Sequence, residues 1–354
     1  MPSFSICIDG CTVTPDSLAD WAAEHSGYRS EFAHFLSNWW SATDTMPLQT
    51  SGSTGKPKIM HARKSAMAAS AMATCNAFNL RAGQSALLCL PLRYIAGQMM
   101  VVRALVGGLR LITTAPGSTP LESLQEHVDF APMVPVQVAS TLALPDGFQQ
   151  LSRIRTLLLG GGFVDAELEA RLQQLPSQVF TSYGMTETLS HIALRAVTGP
   201  HRSLFYTPLP GVSISRSNNG TLQLSVPYLG LDSLTTNDLV DISSDGTFRI
   251  LGRLDAVINS GGVKIQAEEL EQQLLHLTGL QVLALPAPHP TLGQCVALLW
   301  EGPAQAENAL RLACNSLPRY HQPHTIFHTT LPRTENGKPA RAQALKLLNQ
   351  YLTL

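Results

Sequence analysis

Over the first 250 residues, short unbroken apolar runs alternate with longer segments of helical period. ALLCLPL (86–92), LRLITT (109–114), RTLLLGG (155–161) and QVFTSYG (178–184) have the length and the aliphatic content of buried strands. The stretches 64–79, 96–106 and 165–174 supply helices between them. Strands buried on both faces and alternating with helices predict an α/β fold with mostly parallel sheets flanked by helices. After SSDGTFRILGR the pattern changes to shorter strands around an amphipathic helix, with Leu270, Leu274 and Leu277 on one face. Further helical stretches near 306–317 and 340–349 complete an α+β module. The expected division is a large N-terminal domain, residues 1–252, and a small C-terminal domain, residues 253–354.

Composition narrows the possible partners. The chain has 354 residues, 44% apolar and 14% charged, enough to bury a core in more than one domain. A formal net charge of -1 with no run of Lys and Arg points away from nucleic acid and anionic membranes, leaving small anionic substrates open. The opening MPSFSICIDGCTV has no basic leader, and no apolar stretch is long enough to span a bilayer, so a cytoplasmic protein is expected. Six cysteines without CxxC spacing argue against a zinc site or a disulfide scaffold, and read as buried free thiols.

Four stretches carry candidate chemistry. TSGSTGKPK (50–58) gathers small hydroxylated residues, glycines and two lysines, a composition suited to wrapping phosphates. It is not a Walker A loop, because Gly52 is too close to the GK pair and Pro57 follows Lys56. TSYGMTET (181–188) follows an apolar strand, where an open α/β sheet places its ligand crevice. There Tyr183 can lie against a base, and Glu187 with Thr186 offers hard oxygens to Mg²⁺. LGRLDAVINSGGVKIQAEELE (251–271) runs from a strand through Gly261 and Gly262 into the amphipathic helix; taken alone, the glycine pair reads as a hairpin turn. PRTENGKPAR (332–341) is a turn-rich loop presenting Lys338.

In this order the stretches resemble the adenylate-forming superfamily of acyl-CoA synthetases, peptide-synthetase adenylation domains and luciferases. TSGSTGKPK is similar to its phosphate loop, SYGMTE to its adenine and Mg²⁺ motif, and TNDLV (236–240) to its ribose motif. GRLDAVINSGGVKI is similar to its hinge motif and RTENGK to its C-terminal lysine motif. The resemblance covers Thr50 to Arg341. It implies an enzyme that uses ATP and Mg²⁺ to activate a carboxylic acid and passes the acyl group to CoA, with a mobile C-terminal domain turning about Asp255.

By the same resemblance Thr50, Ser51, Ser53, Thr54, Gly55 and Lys58 would hold the β and γ phosphates. Gly160, Gly161, Gly162, Ser182, Tyr183 and Gly184 would form the adenine slot, and Asp238 and Arg253 would bind the ribose. Thr186 and Glu187 would position the α-phosphate and the metal, and Lys338 would stabilise the charge that builds up during adenylation. Gly261, Gly262 and Lys264 would reach the mouth of the pantetheine tunnel after domain rotation. Only 49 residues precede Thr50, fewer than is usual in the family. A peripheral part would then be missing, leaving the acyl pocket more open or covered by a second subunit, as in a homodimer.

For the acid, LPLRYIAGQMMVVRAL (90–105) and the short N-terminus resemble the o-succinylbenzoate–CoA ligases of menaquinone biosynthesis. Tyr94 and Gly97 would then stand at the aromatic gate and pocket wall, with His191 facing the pocket or serving the core. Arg93, Arg103 and Arg195 are three candidates for the acid's second carboxylate. Competing readings are a ligase for another small acid, an adenylation domain serving a carrier protein, and a catalytically silent nucleotide-binding regulator.

Overall fold

A nine-stranded sheet organises the first two thirds of the chain. Its strands run, in spatial order, Thr207–Pro208, His191–Ala196, Gln178–Gly184, Ile154–Leu159, Val128–Met133, Ser85–Leu88, Arg110–Thr113, Ile6–Ile8 and Cys11–Val13. Every pairing from Ile6–Ile8 across to Gln178–Gly184 is parallel, and the strands at the two edges pair antiparallel. The structure is a computed structural model and describes residues 5–50, 58–162, 164–333 and 339–353, with the backbone alone at 49, 50 and 58.

Ser85–Leu88, Arg110–Thr113 and Ile154–Leu159 are buried along nearly all their length, as the apolar runs predicted, because helices cover them. Gln178–Gly184 instead alternates buried and part-exposed positions and is exposed at both ends. Helix Ile95–Gly107 is itself apolar nearly all round and buries Met99, Met100, Val101, Val102, Ala104 and Leu105. It ends on Gly108 in the left-handed conformation (φ 63°), where a Cβ would be strained. Among the described residues no helix is long and apolar enough to cross a membrane.

The short region before Thr50 is built into this core. Asp9 and Gly10, both with positive φ (48° and 84°), turn Ile6–Ile8 back into Cys11–Val13. The Asp9 carboxylate also accepts from Thr113 N at 2.7 Å and Thr113 Oγ1 at 2.6 Å, tying the hairpin to the neighbouring strand. Helices Leu18–Ala23 and Ser30–Trp40 then lay Trp21, Phe32, Phe35, Leu36 and Trp39 into the main apolar cluster. Glu31 reaches further and accepts from Leu92 N at 3.1 Å, so one side of the 90–97 segment is braced from within the chain.

Sequence periodicity did not separate a second element of the N-terminal part. The strands Ser213–Arg216, Thr221–Val226, Leu231–Ile242 and Phe248–Arg253 form an entirely antiparallel sheet, joined to the large one by the Tyr206–Phe248 bridge. From Ala256 onward the buried apolar residues form two clusters of their own, on opposite faces of a sheet built from Val257–Ser260, Val263–Gln266, Gln281–His289, Gly293–Glu301 and Thr325–His328. The period of two in Gln281–His289 accounts for this: Val282 and Ala284 face one cluster, Leu283 and Leu285 the other. Two of these strands are nine residues long, not short as expected.

Helix Ala267–Thr278 buries Leu270 and Leu274 as predicted, but Leu277 in its last turn is 52% exposed. The expectation of uniformly buried thiols also needs correction: Cys75, Cys89, Cys295 and Cys314 are buried, whereas Cys11 is exposed.

Candidate active site

In the large sheet the chain places Arg110–Thr113 on one side of Ser85–Leu88 and then returns to place Val128–Met133 on the other. That reversal makes the carboxyl ends of Ser85–Leu88 and Val128–Met133 a topological switch point, the place where open α/β sheets bind ligands. Segments leaving these ends are stitched together: Gln137 Nε2 donates to Cys89 O at 3.1 Å. Gly97 lets its helix sit on the turn at 90–91, since a Cβ there would lie 2.4 Å from Pro91 O.

The next strand ends on Gly160, Gly161 and Gly162. A Cβ at Gly160 would meet Ser182 Oγ at 2.8 Å, and one at Gly162 would press on Pro135. Ser182 Oγ in turn donates to Leu159 O at 2.9 Å. The structure thus brings together the glycines, Ser182, Tyr183 and Gly184, on two adjacent parallel strand ends.

Tyr183 is 7% exposed and packs edge-on against Phe248, with ring centroids 5.4 Å apart. Its hydroxyl donates to Asp238 Oδ2 at 2.5 Å, while Arg253 Nη1 donates to Asp238 Oδ1 at 3.1 Å. Burial and the Asp238 charge both raise the phenol pKa, so Tyr183 stays a donor. Asp238 and Arg253 face each other as Cα partners across the antiparallel sheet. The other guanidinium edge is bidentate to Asp255, Nε to Oδ1 and Nη2 to Oδ2 both at 2.9 Å. Hydrogen bonding from Arg253 lowers the Asp255 pKa.

Thr186, Glu187 and Thr188 form a single 3-10 turn beyond Gly184. Glu187 is exposed and Thr186 half-buried. One free carboxylate beside a hydroxyl fits Mg²⁺, which keeps water and substrate phosphate as most of its ligands; among the described residues no group of three or more metal-ligating side chains occurs. Leu189 follows with φ 62° and ψ −37°, and Ser190 N bonds to Thr188 O at 2.7 Å, a γ-turn that an L-residue adopts only under strain. Gly184 makes this turn possible, because a Cβ there would lie 2.3 Å from Ser190 O.

The turn delivers His191 into the core, 6% exposed. Burial, and then the charge of Arg103, push its pKa down to about 3. Arg103 is 3% exposed and donates to Ser190 Oγ at 2.5 Å. It pairs with no carboxylate among the described residues, its Nε has no acceptor, and burial pulls its pKa down to about 10. Gln98 Oε1 on the same helix is likewise buried and unpaired.

The other two arginines differ. Arg195 is bidentate to Glu169 (2.8 and 3.3 Å), so it is already neutralised. Arg93 is exposed and lies over the Tyr94 ring, 4.9 Å from its centroid. Sequence reasoning missed Ser190, which meets Arg103 across 87 residues, and Thr74, which meets His191 across 117; no local pattern marks them.

Of the remaining predicted positions, Ser51, Ser53, Thr54, Gly55 and Lys338 lie outside the described residues. Thr50 and Lys58 end two antiparallel strands as Cα partners. Gly261 and Gly262 (φ 58° and 86°) do form a two-residue hairpin turn, as the isolated reading had it, and Lys264 is exposed beside it. The neighbours a side chain at Gly261 would meet are Leu292 and Tyr320, not residues of the slot.

Comparison with known proteins follows the same lines. A family model described as AMP-binding enzyme matches residues 9–219. The 2-succinylbenzoate–CoA ligase of Escherichia coli is 29% identical over 314 residues, covering 84% of this chain and 67% of its own. A feruloyl-CoA synthase from Amycolatopsis is 28% identical, covering 82% and 67%. The chain therefore spans about two thirds of the length of these curated relatives. Among solved structures, an acyl-CoA synthetase (AMP-forming)/AMP-acid ligase II-like protein from Dyadobacter fermentans is 34% identical with a TM-score of 0.63, and the match covers 92% of this chain and 97% of that one.

Proposed function

This chain belongs to the AMP-binding enzyme family, and from that membership we propose that it is an AMP-forming acid–CoA ligase whose acid is o-succinylbenzoate. The observation that carries the choice of acid is Arg103. A guanidinium buried without a counter-ion costs several kcal/mol, and a carboxylate brought by the ligand offsets that cost. o-Succinylbenzoate keeps one carboxylate free while the other reacts; a feruloyl group has none to spare. The likeness to the Escherichia coli ligase points the same way.

In the proposed reaction the succinyl carboxylate attacks the α-phosphorus of ATP and pyrophosphate leaves. The CoA thiolate then attacks the acyl carbon of the resulting acyl-adenylate and AMP leaves. Tyr183 and the glycines at 160–162 would hold the adenine, and Asp238, fixed by Tyr183 and Arg253, would accept from the ribose hydroxyls. Glu187 and Thr186 would hold Mg²⁺, which offsets phosphate charge. The loop residues 50–58 would hold the β and γ phosphates, and Lys338 would stabilise the negative charge at the reacting centre.

Asp255, bound by Arg253 where one sheet ends and the next begins, would be the hinge between residues 1–252 and 253–354. Rotation there would bring Gly261, Gly262 and Lys264 to the thiol's path.

Purified protein incubated with ATP, Mg²⁺ and o-succinylbenzoate, with and without CoA, tests the reading. Pyrophosphate without CoA, and AMP with thioester when CoA is added, are expected. Preference for another acid across a panel that includes ferulate would refute the assignment of the acid. No turnover with any acid would refute the ligase.

A further inference from the structure

Arg103 stands at the end of a hydrogen-bond chain that has a direction. Thr74 Oγ1 donates to Ser70 O within its own helix, at 3.2 Å. With that proton committed, the Thr74 oxygen is an acceptor for His191 Nε2, 3.3 Å away. The ring therefore carries its proton on Nε2 and offers a bare Nδ1 to the Ser190 hydroxyl at 3.3 Å. Ser190 donates there and turns its lone pairs to Arg103 Nη2. This assignment satisfies the side-chain polar atoms of Thr74, His191 and Ser190. Protonating Nδ1 would reverse the Ser190 hydroxyl and set an imidazolium beside a guanidinium.

On the reading of the acid given above, we infer that Thr74 and His191 are positioning residues for the acid's second carboxylate. They act through Ser190, which fixes the Arg103 fork in one orientation. Ser190 is neutral and occupies a single guanidinium nitrogen, so it orients the charge without consuming it. Nη1 is the donor left for a carboxylate, while the unpaired Nε is itself buried.

The test compares o-succinylbenzoate with 3-benzoylpropanoate, the same skeleton without the ring carboxylate. Wild-type turnover is measured first; if o-succinylbenzoate is not a substrate, the proposed function fails and this inference falls with it. Given turnover, Thr74→Val should raise KM for o-succinylbenzoate about fivefold or more, leaving KM for ATP and 3-benzoylpropanoate and the kcat values unchanged. Thr74→Ser, which restores the acceptor, should recover the wild-type KM. His191→Asn, whose amide oxygen can take the place of Nδ1, should retain selectivity that His191→Gln loses. Equal KM increases for both acids, with a lowered Tm, would reduce these residues to packing and overturn the inference, as would no increase at all.

Discussion

The neutrality of His191 has a measurable consequence for acid stability. Its ordinary pKa of 6.5 falls to about 3 in the folded chain. A depressed base binds its proton in the unfolded state first, so the unfolded state gains protons as the pH falls below 6.5 and folding loses free energy. The loss begins near pH 6.5, grows by about 1.4 kcal/mol per unit, and reaches about 2 kcal/mol at pH 5. Thr74, Ser190, Phe78 and Arg103 surround the ring. Neighbouring Cys75, whose pKa burial raises, stays an uncharged thiol through this range.

Glu271 complicates the raw profile, because burial raises its pKa to about 7 and this contribution grows as the pH falls from 7 toward 4.5. Comparison with His191→Asn removes that background. Thermal unfolding at about pH 7 and about pH 5 should show the wild type losing about 3–4 °C more than the variant, for a domain of about 250 residues. Equal shifts in the two proteins would refute the argument.

Tyr183→Phe keeps the ring but removes the donor to Asp238; nucleotide affinity by calorimetry should weaken about tenfold, and an unchanged Kd would separate the base slot from the ribose clamp. Gly184→Ala sets a Cβ against backbone and cannot relax by a rotamer change; a loss of about 1–3 kcal/mol with disrupted adenylation is expected, and a Tm within error of wild type would contradict it. Lys338→Ala should slow pyrophosphate release about 100-fold or more while sparing thioester formation from synthetic acyl-adenylate; equal damage to both steps would assign the lysine another role. Arg103→Met should abolish the preference for o-succinylbenzoate over 3-benzoylpropanoate, and retention of that preference would remove the basis for the choice of acid.

The sequence was most informative where a residue's role depends on its near neighbours. The parallel strands, the glycines after Leu159 and the hairpin at Gly261–Gly262 all stood in local patterns. So did the Asp9–Gly10 turn, which an unused dipeptide signal marks. It was silent where the partner is remote. Arg195 and Arg103 look alike in one dimension, and Glu169, 26 residues upstream, separates them. Leu277 shares a helical face with Leu270, but periodicity gives the direction of the core and not its extent along the helix. The antiparallel sheet from Ser213 to Arg253 was hidden because half-exposed strands carry weaker apolar runs than covered ones.

The edge hairpin also sets an order of events. Ile6–Ile8 pairs with Arg110–Thr113, and Asp9 with Thr113 across 104 residues. A chain growing from its N-terminus makes the first strand long before the strand that receives it. Trp21, Phe32 and Trp39 wait with it for their neighbours, at a loop-closure cost that grows only slowly with length. During synthesis this stretch is thus an exposed apolar segment, available to a chaperone or to another nascent copy until Arg110–Thr113 emerges.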